Sequence, residues 1–126
     1  MRSVSKKRAK LIREMREARR TFAMEHEACC VCGERKEITV HEIVRGAFRE
    51  KGYQERCTWL PACFDCNSGP LHSHIEWPIA YQLALKAICD LEYYDRRKVN
   101  ELRGRSPDDV TEMDVLWAMQ QILHST

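Results

Sequence analysis

Two Cys-x-x-Cys pairs carry the clearest chemistry in this chain: Cys29 with Cys32, and Cys63 with Cys66. Thirty residues, 33 to 62, lie between them. Four thiolates at this spacing can close a tetrahedral zinc site and tie two remote turns together. Gly33 follows Cys32 and suits the tight turn of a zinc knuckle. Cys30 could stand in for Cys29, but Cys30-x-Cys32 is too short for an ordinary knuckle, and Cys57 and Cys89 read as small core residues. A four-cysteine zinc site is usually structural. Any reaction must therefore come from residues between and just after the pairs: His41, Glu42, Asn67, His72 and His74.

Those side chains need elements to hold them. Ile38-Thr39-Val40 is β-branched throughout and predicts a short strand. Thr58-Trp59-Leu60 predicts a second, ended by Pro61. Residues 44 to 56 are polar, include Gly46 and Gly52, and read as a loop with room for a helical turn. Asn67-Ser68-Gly69-Pro70 breaks regular structure. Before the cysteines, residues 6 to 26 predict a helix in which Leu11, Met15, Ala18 and Phe22 form an apolar stripe and the other faces are mostly basic. After them, residues 76 to 95 predict a largely apolar helix with Pro78 in its first turn and one polar stripe, Gln82, Lys86 and Asp90. Asp95 is placed to cap a short helix through Leu102, ended by Gly104. Thr111, with Asp114 three residues on, opens a last helix whose apolar face is Val115, Leu116, Met119, Ile122 and Leu123. The chain divides into a basic arm (1–26), a cysteine module (27–75) and a helical extension (76–126) within one compact α+β domain, mostly helical by residue count.

Charge is unevenly spread over the 126 residues. The first 20 hold nine Lys/Arg and two acids, a net of +7 in a chain whose total is +2, so the remainder sums to −5. A basic arm on an acidic body suggests a polyanion contacted mainly at one end. No apolar run approaches the ~20 residues of a membrane span. The N-terminus is charged from Arg2 onward with no apolar stretch behind it, which argues against a secretory signal. Seven cysteines then point to a reducing compartment and to metal binding over disulfides.

The middle of the chain resembles the HNH endonuclease superfamily, whose active unit is a ββα-metal fold often braced by a four-cysteine knuckle. The residues that carry the resemblance are Cys29-x-x-Cys32, then Val40-His41-Glu42-Ile43-Val44, then Leu60-Pro61-Ala62-Cys63-Phe64-Asp65-Cys66-Asn67. They span roughly residues 27 to 75, and the flanking helices lie outside the resemblance. It implies a small HNH-like zinc module packed against flanking helices. It also implies His41, Asn67 and His72 as ligands of a catalytic Mg2+ or Mn2+, with His74 in reserve. Glu42 stands at the position of the water-activating base, and Thr58 at that of the family's central Asn. In the other register His41 is the base, and Val40 occupies a ligand position it cannot fill.

The function these readings imply is a metal-dependent HNH-like DNA endonuclease or nickase of the stand-alone phage type, acting in the cytoplasm of a bacterial or phage-infected cell. The alternative is a non-catalytic zinc module on a degenerate HNH fold that binds nucleic acid or protein. DNA phosphates would be met by Lys6, Lys7, Arg8, Lys10 and Arg13 of the arm and by Arg45 and Arg49 of the loop facing the site.

Overall fold

The computed structural model describes residues 6–67 and 77–124. Its elements run α1 (Lys6–Glu25), β1 (Ile38–Glu42), α2 (Arg49–Gly52), β2 (Trp59–Cys63), α3 (Phe64–Asn67), α4 (Ile79–Cys89), α5 (Arg96–Leu102) and α6 (Glu112–Leu123). Single 3-10 turns occupy Gly46–Phe48, Arg56–Thr58 and Leu91–Tyr93. The class is α+β, helices around a two-stranded antiparallel sheet.

The strands pair from Ile38 opposite Cys63 to Glu42 opposite Trp59. Pro61 does not end β2 but sits in its middle, opposite Val40. Lacking an N–H, it occupies a position whose polar groups point away from the partner strand. Its outward carbonyl accepts from Cys30 N at 2.9 Å, so the proline joins the strand to the first knuckle. Pairing continues past β1, with Ile43 N donating to Thr58 O at 2.8 Å. Thr58 is buried, and its hydroxyl reaches Gly52 O and Glu55 O, which folds the intervening loop onto the sheet.

Ile43, Val44 and Leu60 of the sheet region meet Leu83, Ala84 and Leu85 of α4, with Val99 of α5 and Val115 and Ala118 of α6 closing the core. α1 lies on the other side, anchored by fully buried Phe22, whose ring stands edge-on to Trp59 at 5.6 Å. Its stripe of Leu11, Met15 and Ala18 is half-buried, while Lys6, Lys7, Arg8, Lys10 and Arg13 face outward.

α4 is shorter than the 76–95 expected of it. Pro78 stands just before its first residue, and Asp90 breaks it with φ −149° and ψ 54° before a separate 3-10 turn. The polar stripe also departs from a simple amphipathic reading, being buried alongside Leu83, Ala84 and Leu85. The polar stripe Gln82, Lys86 and Asp90 faces inward, whereas Ile88 and Leu91 are exposed. Each stripe residue has a partner on the sheet side: His41, the Trp59 carbonyl and Arg56. Because His41 and the Trp59 carbonyl are themselves buried, the polar stripe follows them in.

The caps are as expected. The Asp95 carboxylate accepts from Lys98 N, and Thr111 with Asp114 makes a reciprocal capping box. Gly104 ends the α5 region with φ +77°. Leu116 and Leu123 of α6, expected in its buried face, are exposed instead. Val115 and Ala118 already fill the space against α4, and Leu116 lies one residue, about 100°, further round the helix.

Candidate metal centre and the adjoining histidine site

The sulfurs of Cys29, Cys32, Cys63 and Cys66 all lie within 4.8 Å of one another, with Cys32 Sγ 3.9 Å from Cys63 Sγ. Tetrahedral Zn–S bonds of about 2.3 Å would set sulfurs about 3.8 Å apart, so the four thiols stand near ligand separation. Local structure puts them there. The first pair rides on a turn closed by Gly33 N donating to Cys29 O at 2.9 Å, with Gly33 at φ +74°, a conformation glycine adopts without cost. The second pair straddles the junction of β2 with the single-turn helix α3. Burial works against the Cys29 thiolate, but backbone N–H groups of Cys32, Cys63 and Val31 outweigh it and bring the group down to about 7. Val31 N is 3.4 Å from the sulfur. Cys66 is pushed up, by burial first and then by the crowding thiols. The cluster can hold a metal ion such as zinc.

His41 is 1% exposed, and both its ring nitrogens face amide oxygens. Nδ1 lies 3.1 Å from Asn67 Oδ1 and Nε2 lies 2.9 Å from Gln82 Oε1. Neither amide can turn over. Asn67 Nδ2 donates to Thr39 Oγ1 at 3.0 Å and to Val40 O at 3.3 Å, and the Thr39 hydroxyl spends its proton on Ala62 O. Gln82 Nε2 donates to Trp77 O at 3.0 Å. Reversing either amide would press oxygen against oxygen. A neutral imidazole has only one N–H to offer. At most one of the two contacts is therefore an N–H···O bond of the neutral ring. Burial holds His41 below its ordinary pKa, against the upward pull of the Gln82 and Asn67 oxygens, and the Arg45 charge adds to the lowering.

Glu42 goes elsewhere. Successive residues of a strand point to opposite faces, and β1 is regular through Glu42. The Glu42 carboxylate takes Arg49 Nε at 2.8 and 3.1 Å and lies 3.0 Å from Arg19 Nη2. Arg19 in turn stacks over Tyr53, 4.3 Å from its centroid. The base position of the family pattern is here an ion-paired clasp between α1, β1 and α2, and Arg49, expected to meet phosphate, belongs to that clasp. His41 and Asn67, 26 residues apart, are brought together; Glu42 is not brought to them. His72 and His74 lie outside the described residues. Arg45 is exposed beside the site.

Gln82 was not singled out as a site residue. Its signal was there, an amide in a polar stripe on an otherwise apolar helix, but only the fold shows that the stripe faces His41. The neighbouring Cys89 thiol, with burial, pushes the Cys30 thiol up. In comparisons with known proteins, the chain matches no family model, no curated protein and no solved structure.

Proposed function

We propose that the chain is a zinc-braced, HNH-like module that hydrolyses phosphodiester bonds in DNA with the help of a divalent cation. The observation that carries this reading is the approach of His41 Nδ1 to Asn67 Oδ1 at 3.1 Å, which brings a ring nitrogen and an amide oxygen 26 residues apart to the spacing of neighbouring ligands. Neighbouring donors on an octahedral Mg2+, each about 2.0–2.1 Å from it, stand about 3 Å apart. The pair therefore suits a small hard cation, with His72 as the further ligand the resemblance implies. Such a cation, when bound, would polarise the scissile phosphate and stabilise the leaving oxygen. The chain's own part is positional. Gln82 Oε1 favours the proton on Nε2 and so keeps the Nδ1 lone pair aimed at Asn67. The four-cysteine site holds the strand bearing His41 and the helix bearing Asn67 in register.

A second reading has its own observation. With Glu42 clasped by Arg19 and Arg49, the family's base position is diverted to structure. A module that binds nucleic acid without cutting it would keep the knuckle and the arm and lose only this. Plasmid nicking with Mg2+ or Mn2+ separates the two. The nuclease reading expects cleavage that His41→Ala and Asn67→Ala each abolish and Glu42→Gln leaves largely intact. Cleavage that survives both alanine variants would remove the proposed site. Salt-dependent DNA binding with no cleavage under either metal would favour the second reading.

A further inference from the structure

Beside the histidine site, on the Gln82 side, lies a cavity of about 510 Å³. Among the described residues its charge comes from three arginines, Arg45, Arg103 and Arg105, with no acid in the lining. Its apolar walls include Phe48 and Trp77. Among the described residues neither Arg45 nor Arg105 makes an ion pair, although this chain pairs most of its other guanidiniums outside α1. Arg103 is partly compensated, 3.4 Å from Asp109 Oδ2 and from Asn100 Oδ1. The two sides are locked together by a close approach. A Cβ built on Gly104 would fall 2.5 Å from Phe48 Cζ, so the glycine lets the Phe48 turn seat against the end of α5. That seating fixes Arg45 of the loop opposite Arg103 and Arg105 of the extension. Three guanidiniums around one opening, two of them without an ion pair among the described residues, together attract an anion and can bind phosphate oxygens through charge-assisted hydrogen bonds.

We infer that this cavity is a phosphate subsite that holds one nucleotide unit of a nucleic-acid strand next to His41. The inference rests on the nuclease or nucleic-acid reading above and extends it to residues of the C-terminal helices. A strand is favoured over a small free metabolite because Arg45 and Arg105 are solvent-exposed, so an occupant stays open to solvent on its way past. The volume also exceeds the need of a lone phosphate and lies within the range of sites for organic ligands of about 300–1,000 Å³. Gln82 links the two sites: its side chain lines the cavity and its Oε1 holds His41.

The test is fluorescence anisotropy with a labelled single-stranded oligonucleotide and its duplex, titrated with salt and without added divalent metal. The proteins are wild type, Arg105→Gln, Arg45→Ala/Arg105→Ala, and Lys6→Ala/Lys7→Ala as a control that removes the same charge from α1. Zinc content and far-UV circular dichroism verify folding, and the single Gln variant keeps the test alive if the double variant is unstable. The cavity double variant should weaken binding at least tenfold, and the slope of log K against log salt should flatten by roughly one to two. The arm control should lose less affinity. Binding unchanged in the cavity variants, or a loss equal to the control's, overturns the inference. So does displacement of the oligonucleotide by inorganic phosphate or a mononucleotide at matched phosphate concentration, since the site would then serve a small anion. Nicking assays on the same proteins keep the two proposals apart. No cleavage by wild type together with lost binding in the double variant defeats the nuclease reading and leaves the subsite. Cleavage with unchanged KM in the double variant does the reverse.

Discussion

Lys86 offers the sharpest quantitative test of the tertiary arrangement, because it is a fully buried ammonium on a helix that otherwise reads as apolar. Its Nζ donates to Asp90 Oδ2 at 2.6 Å and to Trp59 O at 2.8 Å. Asp90 also receives Arg56 Nε and Nη2 at 3.1 and 3.2 Å. Replacing Lys86 by Met keeps the volume of the stem and leaves one buried carbonyl unpaired, while Arg56 still neutralises Asp90. The expected loss is about 2 kcal/mol, the desolvation cost of one orphaned polar group. Replacing Asp90 by Asn leaves a buried ammonium without a counter-charge, and the expected loss is about 4 kcal/mol. The double variant Lys86→Met/Asp90→Asn buries no charge and should lose about 3 kcal/mol, not the roughly 6 that simple addition requires. Urea unfolding of the metal-loaded protein, followed by tryptophan fluorescence, measures all four corners of the cycle. Additive losses, or a smaller loss for Asp90→Asn than for Lys86→Met, would refute the buried network and with it the inward orientation of the α4 stripe. Since Gln82 sits on that stripe one turn before Lys86, the same result would unseat the partner of His41.

Metal analysis should find one tightly held zinc per chain, and Cys63→Ser should abolish it and unfold the sheet end, because Cys63 belongs to the thiol cluster and is the partner of Ile38; a chain that purifies folded with no metal contradicts the zinc reading of the cluster. Gly104→Ala should cost more than Gly33→Ala in thermal unfolding. Both meet the left-handed backbone cost of about 1–2 kcal/mol, but a Cβ at Gly33 meets nothing within 4 Å and one at Gly104 collides with Phe48. Equal losses would mean that the Phe48 seating is absent. Burial opposes the Asp90 carboxylate, yet Arg56 and Lys86 hold it below its ordinary pKa. Its stabilising effect is therefore complete above the unfolded value of about 3.9 and fades as pH falls below it toward the folded value. Stability measured down the acid limb should fall less steeply in Asp90→Asn than in wild type, and parallel curves would count against the pairing.

Local signals in the chain were enough for its elements and its cysteines. The Asp95 and Thr111 caps, the β-branched Ile38-Thr39-Val40, the stripe of α1 and the turn at Gly33 are short-range effects, written in residues three or four apart. Pairing Cys29-x-x-Cys32 with Cys63-x-x-Cys66 needs only that four soft ligands at knuckle spacing find one another, and their sulfurs do lie together. The approach of Asn67 to His41 followed from the same pairing, since both flank it. What spacing could not decide was direction. Whether Glu42 joins His41 depends on β1 staying regular to its end, and the strand does so because Ile43 continues the ladder to Thr58. Whether Gln82, Lys86 and Asp90 face water or the core depends on what waits opposite them. Their partners, His41, the Trp59 carbonyl and Arg56, come from segments 27 to 41 residues away. A periodic pattern marks which residues share a face of a helix. Only the packing of that helix against a sheet with buried polar groups of its own determines which face turns inward, because an unpaired polar group in the core costs more than an exposed leucine.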